Sequence, residues 1–332
     1  MDRQKKILRL GAAVVALAIT LRLLGGGLFS SFFGILETPE AMSLLVYLQT
    51  GRVVRFRPDM LEATQPQPME PTQTSPVPED PVRPSFSEVD LENISVLYRC
   101  DYRPELEPLL TAPLHWNLMG SEPTVLIVHT HATESYQRQP GEDYEENDPY
   151  RTLDDRYNMV SIGDEVARVL EAGGIKVLHD RSYHDYPSYN GSYGNARVSI
   201  EEYLQRYPSI QMVLDIHRDA SDGADGSQLT TAGTVAGQPS AQLMVVVGTD
   251  EWGNYHPHWQ ENLATGLKLT ALLERQNPGI TRPLTLRSER FNMDLTRASL
   301  LIEVGAAGDT HEQAMLAANA LAQGILELAQ GT

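Results

Sequence analysis

The sequence predicts an α/β domain in which helices flank a central, mostly parallel sheet. Three observations predict it. From residue 125 onward, short apolar runs alternate with segments whose apolar residues recur at helical spacing. Gly173-Gly174 and Pro278-Gly279 interrupt the pattern where helices should stop. Motifs rich in His, Asp and Glu follow directly on the apolar runs, and sheets of this class receive ligands beyond the carboxyl ends of their strands.

The elements follow in order. Residues 125–128 form a short apolar strand ending at His129. In 158–171, Met159, Ile162, Val166, Val169 and Leu170 share one helical face, and a strand over 175–178 comes next. A helix over 196–206 leads to a buried strand over 211–216. A strand over 243–247 precedes a long helix over 259–274. Residues 299–304 make the last strand, and Thr310 with Gln313 forms a capping box that opens the final helix.

Composition narrows the function. Against 26 Lys and Arg stand 44 Asp and Glu, a net charge of −18 that disfavours nucleic acid as a partner. The single cysteine, Cys100, excludes an intramolecular disulfide and a cysteine-based zinc finger or iron–sulfur cluster. A hydrophobic fraction of 41% and a charged fraction of 21% are those of a folded protein.

The charge is unevenly spread. Residues 1–36 carry Arg3, Lys5, Lys6, Arg9 and Arg22 against Asp2 alone. Two apolar runs, 10–21 and 23–36, are separated only by Arg22 and are together long enough for a span of about 20 helical residues. Arg22 would cost roughly 2.5–3.5 kcal/mol near a bilayer centre, a cost that snorkelling reduces. The cluster of basic residues before the runs predicts a cytoplasmic N-terminus. No A-x-A cleavage site follows, so the segment reads as an uncleaved anchor. Between Pro58 and Pro84 lie eight prolines, a composition that cannot bury a core and extends over about 80 Å at ~3.1 Å per residue. The expected organisation is a basic cytoplasmic tail (1–9), a transmembrane anchor (10–36), a juxtamembrane segment and Pro-rich linker (37–94) and an extracytoplasmic domain (95–332).

Three strand ends carry the candidate chemistry. The first bears His129, His131 and Glu134, the second Asp215, His217, Arg218 and Asp219, and the third Glu303. Two imidazoles and one carboxylate are a standard set for catalytic zinc, which leaves a fourth position for water. A further carboxylate beside that water serves as general base and then protonates the leaving nitrogen. Each motif is weak alone; their convergence on one rim gives the reading its weight. His256 and His258 form a second pair in a loop and read as solvated. Residues 183–193, with four tyrosines, read as a loop whose rings either pack or stack on sugar.

The segments VLIVHTHATESY (125–136), LDIHRDA (214–220) and FNMDLTRASLLIEVG (291–305), behind an anchor and a Pro-rich linker, resemble the stage II sporulation protein P family. The resemblance covers residues 95–330 and implies a fold similar to the zinc-dependent N-acetylmuramoyl-L-alanine amidases. It implies a Zn2+ cofactor and cleavage of peptidoglycan at the muramic acid–peptide amide and at peptide cross-links, in septal thinning and engulfment. It also implies the membrane-associated partners stage II sporulation proteins D and M. By the same resemblance, His131 and His217 are the metal histidines, Glu134 the carboxylate ligand and Glu303 the catalytic glutamate. His129 is not needed by that metal pattern, and Glu142, Asp143, Glu145 and Glu146 stay open as alternative carboxylates. Arg218, Asp219 and Asn292 are candidates for orienting the peptide substrate or the metal ligands. A noncatalytic wall-binding scaffold is the competing function, and a zinc peptidase acting on protein lacks the HExxH helix that would support it.

Overall fold

The computed structural model describes residues 85–220 and 227–330. They belong to one compact unit, Pro78–Thr332. The expected tail, anchor and residues 37–84 of the linker lie outside the described residues. Among the described residues no helix is long and apolar enough to cross a membrane.

The described residues include a helix within the stretch read as linker. Ser87 and Asp90 form a capping box on helix α1 (Glu88–Glu92). Asp90 also takes two hydrogen bonds of 2.6 Å from Arg275, which ties the helix to the domain. Strand β1 (Val96–Arg99) and helix α2 (Leu106–Thr111) follow. Lys268 closes α2, with its buried ammonium donating to the carbonyls of Leu109 (2.9 Å) and Leu110 (2.5 Å) at the helix end.

Ten further strands and four helices complete the order among the described residues. They are β2 (Val125–Val128), β3 (Glu146–Asp148), β4 (Arg151–Thr152), α3 (Met159–Ala172), β5 (Val177–His179), α4 (Ser192–Arg206) and β6 (Met212–Asp219). After these come β7 (Gly233–Val235), β8 (Gln238–Ser240), β9 (Leu243–Gly248), α5 (Trp259–Gln276), β10 (Leu284–Arg287), β11 (Ala298–Ala306) and α6 (His311–Gln330). The N-terminus of α3 is set by Asn158, whose side chain accepts from the Val160 amide at 3.0 Å. The expected capping box of α6 is present: Thr310 and Gln313 exchange bonds of 3.0 and 3.2 Å.

The central sheet has seven strands in the order β1-β10-β9-β11-β6-β2-β5. It is mostly parallel, as the alternation of elements predicts, with one antiparallel seam between β11 and β9. On one side of the seam β11, β6, β2 and β5 run together. On the other, β9, β10 and β1 run the opposite way.

Side-chain alternation divides the two faces of the sheet. Leu214, Ile216, Leu300, Ile302 and Val304 join the main core under α3, α5 and α6. The opposite face carries two small apolar clusters. Leu126, Val128 and Val213 pack with Ile200 of α4, and Val246 and Leu301 pack with Met293. Asp215, His217 and Glu303 alternate with the main-core residues of β6 and β11, so they emerge on this second face between the two clusters.

Candidate active site

The strand pattern assembles the centre of the site. In the parallel β11–β6 pair Glu303 lies directly beside His217, and Asp215 precedes His217 by one full pleat. Asp215 is buried and accepts bonds from Thr130 N (2.8 Å) and Thr130 Oγ1 (2.6 Å). Its Oδ1 stands 2.8 Å from His217 Nε2 but out of line with the ring N–H, so that nitrogen has no directed partner. Burial works against the Asp215 charge, yet His217 and Thr130 hold its carboxyl down to about 2. Burial likewise opposes the His217 charge, but Asp215, then Glu134 and Glu303, lift it to about 9.

His131 enters from the loop after β2. Its ring meets that of His217 edge-on, with centroids 5.3 Å apart. Burial pushes its pKa down to about 4, so the imidazole is neutral, and Nδ1 is buried without a partner. Glu134 lies behind the two rings. Its Oε2 accepts from the Arg218 amide at 3.2 Å and sits 3.7 Å from His217 Nδ1. Its Oε1 is 3.3 Å from Arg151 and 3.6 Å from the Arg218 guanidinium. Burial would raise the Glu134 pKa, but Arg218, His217, His131 and Arg151 together hold it below the usual value. Glu303 has the reverse balance. Burial first, and then Glu134 and Asp219, push its pKa up to about 8, and its Oε2 is buried without a partner.

The chemistry of these donors fits a divalent cation. A neutral imidazole, a second imidazole and an ionised carboxylate adjoin one another, and His131 and Glu303 each present a buried polar atom that no protein group satisfies. Among the described residues, however, no three His, Cys, Asp or Glu side chains stand together as a ready-made ligand set. The raised pKa of His217 means that a cation bound there displaces a proton.

The other candidates have different surroundings. Arg218 is buried and engaged: Nε donates to Ser135 O (3.0 Å) and a terminal nitrogen to Tyr150 O (2.9 Å). These bonds tie it to the loops after β2 and between β3 and β4. Asp219 pairs with Arg282 at 2.7 Å. Asn292, in the left-handed region at φ 59°, donates to Tyr193 O at 2.8 Å and steadies the start of α4. His129 is directed away from the site, 2.9 Å from Ile216 O and 2.8 Å from His179 Nε2. The close approach of α3 to this pair requires Gly163, where a Cβ would lie 2.5–2.6 Å from both ring nitrogens. Asp143, Glu145 and Glu146 are exposed, and Glu142 accepts from the Gln139 amide at 2.7 Å; no contact joins them to His131 or His217. His256 corrects the expectation of solvated loop histidines, since it is 1% exposed. The loop turns this ring inward, while His258 stays half-buried against Glu261 at 2.8 Å.

Sequence reasoning passed over Arg151, placed Asp215 at a strand end without giving it a role, and read Tyr189 only as one ring of a loop. A role for Asp215 was readable, because two residues before His217 on a strand means the same face. Tyr189 stacks on His131, with centroids 4.4 Å apart and planes within 5°. Nothing in a loop sequence announces such a contact.

Comparison with known proteins bears on identity. The sequence model of a family described as stage II sporulation protein P matches residues 55–326, a range that contains all three strand-end motifs. The chain belongs to the stage II sporulation protein P family. It is 29% identical over 223 residues to stage II sporulation protein P of Bacillus subtilis (strain 168), a match covering 63% of this chain and 52% of that relative. The chain thus spans about half the length of the curated relative that it matches. Among solved structures, this member of the stage II sporulation protein P family is similar to the N-acetylmuramoyl-L-alanine amidase AmiC2 of Nostoc punctiforme. That match has 16% identity and a TM-score of 0.39, and covers 64% of this chain and 99% of that one. An N-acetylmuramoyl-L-alanine amidase from Clostridium difficile 630 matches at 14% identity and TM-score 0.38, over 63% of this chain and 95% of that one. Ami1 from Mycobacterium smegmatis matches at 13% identity and TM-score 0.37, over 65% of this chain and 100% of that one.

Proposed function

We propose that this chain is a zinc-dependent peptidoglycan hydrolase of sporulation. In this reading it is an N-acetylmuramoyl-L-alanine amidase that also cuts peptide cross-links, in septal thinning and engulfment. The observation that carries the reading is the pair of unsatisfied buried atoms on His131 and Glu303 at one rim of the sheet, beside His217 and an ionised Glu134. Membership of the stage II sporulation protein P family supports the biological setting.

His131 and His217 would hold the metal, with Glu134 as the carboxylate ligand. Bound zinc would supply a Lewis acid that acidifies water and polarises the scissile carbonyl. The remaining steps belong to the protein. Asp215, 2.8 Å from His217 Nε2, would orient that ring as a ligand from behind. Glu303 Oε2, buried without a protein partner, would accept a proton from the attacking water and return it to the leaving amide nitrogen.

The same proposal has the N-terminal segment anchor the chain in the cell membrane, with the domain outside and stage II sporulation proteins D and M as partners. Its support is the charge and apolar pattern of residues 1–36 and the family. The test of the core reading is metal stoichiometry. The wild-type chain is expected to hold about one zinc, and the double variant His131→Ala/His217→Ala none. Stoichiometric zinc in the double variant would refute the site.

A further inference from the structure

A ligand histidine needs something to fix the rotation of its ring. That is commonly a hydrogen bond from the second ring nitrogen to a carbonyl or carboxylate. His131 is held differently: neither of its ring nitrogens makes a hydrogen bond among the described residues, whichever of them ligates. Aromatic rings surround it instead. Tyr189 lies parallel to it at 4.4 Å and 5°, Tyr193 meets it edge-on at 5.6 Å and 88°, and His217 at 5.3 Å and 85°.

We infer that Tyr189 is a positioning residue for His131, one that clamps the imidazole by face-to-face stacking and leaves its in-plane nitrogens free. The geometry suits this role. Imidazole lone pairs lie in the ring plane, so a partner on the face opposes ring rotation without occupying a ligating position. Tyr189 is itself restrained. The Arg151 guanidinium carbon sits 4.9 Å from its ring centroid, and Arg151 is held by Asp185 (2.8 Å) and Glu134 (3.3 Å). The Tyr189 carbonyl also accepts from the Ser192 amide at 3.3 Å and from its hydroxyl, which ties the loop to the start of α4. One stack therefore links His131 to Glu134, the proposed carboxylate ligand, through Arg151.

Core packing does not account for Tyr189, because the residue is 56% exposed. An aromatic ring left that open contributes little burial energy. Its contact with His131 is what removing it would change.

The inference rests on the metal reading above, and its test separates the two. Zinc affinity of the full chain in detergent is measured by competition with a chromophoric chelator for wild type, Tyr189→Ala and Tyr189→Phe, with melting curves of the metal-free proteins. Loss of an orienting partner typically weakens a metal site about 10–100-fold. Tyr189→Ala should lose zinc affinity in that range while its metal-free melting temperature stays near wild type. Tyr189→Phe should bind as wild type, since the stack needs the ring and not the hydroxyl. Wild-type affinity in Tyr189→Ala would overturn this inference alone. So would equal weakening in Tyr189→Phe, or a fall in metal-free stability that accounts for the zinc loss. Failure of the wild-type chain to bind zinc would overturn the metal reading and this inference with it.

Discussion

Replacing Glu303 by glutamine separates its role in chemistry from any role in holding the sheet. The carboxyl has a pKa of about 8 in the folded domain against an ordinary 4.5. Between those pH values the folded chain keeps a proton that the unfolded chain releases, so stability falls as pH rises across the window. At about 1.4 kcal/mol per pH unit, the loss reaches roughly 3 kcal/mol by pH 7. It is complete, on the order of 5 kcal/mol, above pH 8. Glutamine does not titrate and fills nearly the same space, so it escapes that loss. Metal-free Glu303→Gln should therefore melt near wild type at pH 4 and higher than wild type at pH 7, by about 5–10 °C for a domain of this size. Turnover should move the other way. Glutamine still hydrogen-bonds water but takes no proton from it, and general-base catalysis contributes typically 10²–10⁴-fold. The assays are calorimetry of the chelator-treated protein at the two pH values and release of stem peptides from purified sacculi, normalised to folded, zinc-loaded protein. Near-wild-type turnover would remove Glu303 from the mechanism. A lower melting temperature at pH 7 would mean that the carboxylate braces the sheet.

Two further outcomes are expected. Lys268→Ala strands the Leu109 and Leu110 carbonyls and leaves a hole at the end of α2, which should cost about 2–4 kcal/mol in denaturant unfolding. Turnover per folded molecule should be unchanged, and a selective loss of turnover would contradict this purely structural role. Protease added to intact protoplasts should digest the folded domain and spare a small basic stub, whereas protection of the whole chain would contradict the orientation argued from Arg3, Lys5, Lys6 and Arg9.

Elements with strong periodicity and defined ends were legible in the sequence. Helix α3 has five apolar residues on one face between Asn158 and Gly173, and α6 has its Thr310–Gln313 box. Strands β1 and β10 were not legible, because VLYR and LTLR are four-residue pieces, too short for a period to show. Helix α4 begins at Ser192, four residues before its expected start, because Ser192, Tyr193, Gly194 and Asn195 read as loop residues until Gly191 at φ 92° turns the chain into the helix. The proximity of His217 and Glu303 followed from both standing at strand ends, and a parallel pair then makes them neighbours. The environments of Glu134 and His131 did not follow. Arg151, Arg218 and Tyr189 reach them from separate loops whose paths are fixed by tertiary contacts.

The reversal between β9 and β11 gives the molecule two working edges with separate tolerances for change. Loops after β2, β5, β6 and β11 gather at the edge with the chemistry, and those after β1, β9 and β10 at the opposite edge. Along a six-residue strand such as β9, the edges are roughly 20 Å apart. Residues 249–258 at the far edge expose Trp252 and Tyr255 and turn at Gly253 with φ 76°. A reporter group or an insertion there meets solvent without entering the catalytic side. The loop over 288–297 starts from the same edge but has no such freedom. It folds back across the sheet, Phe291 against the Tyr193 ring and Asn292 on the Tyr193 carbonyl, so a change in its length would be felt at His131 and His217.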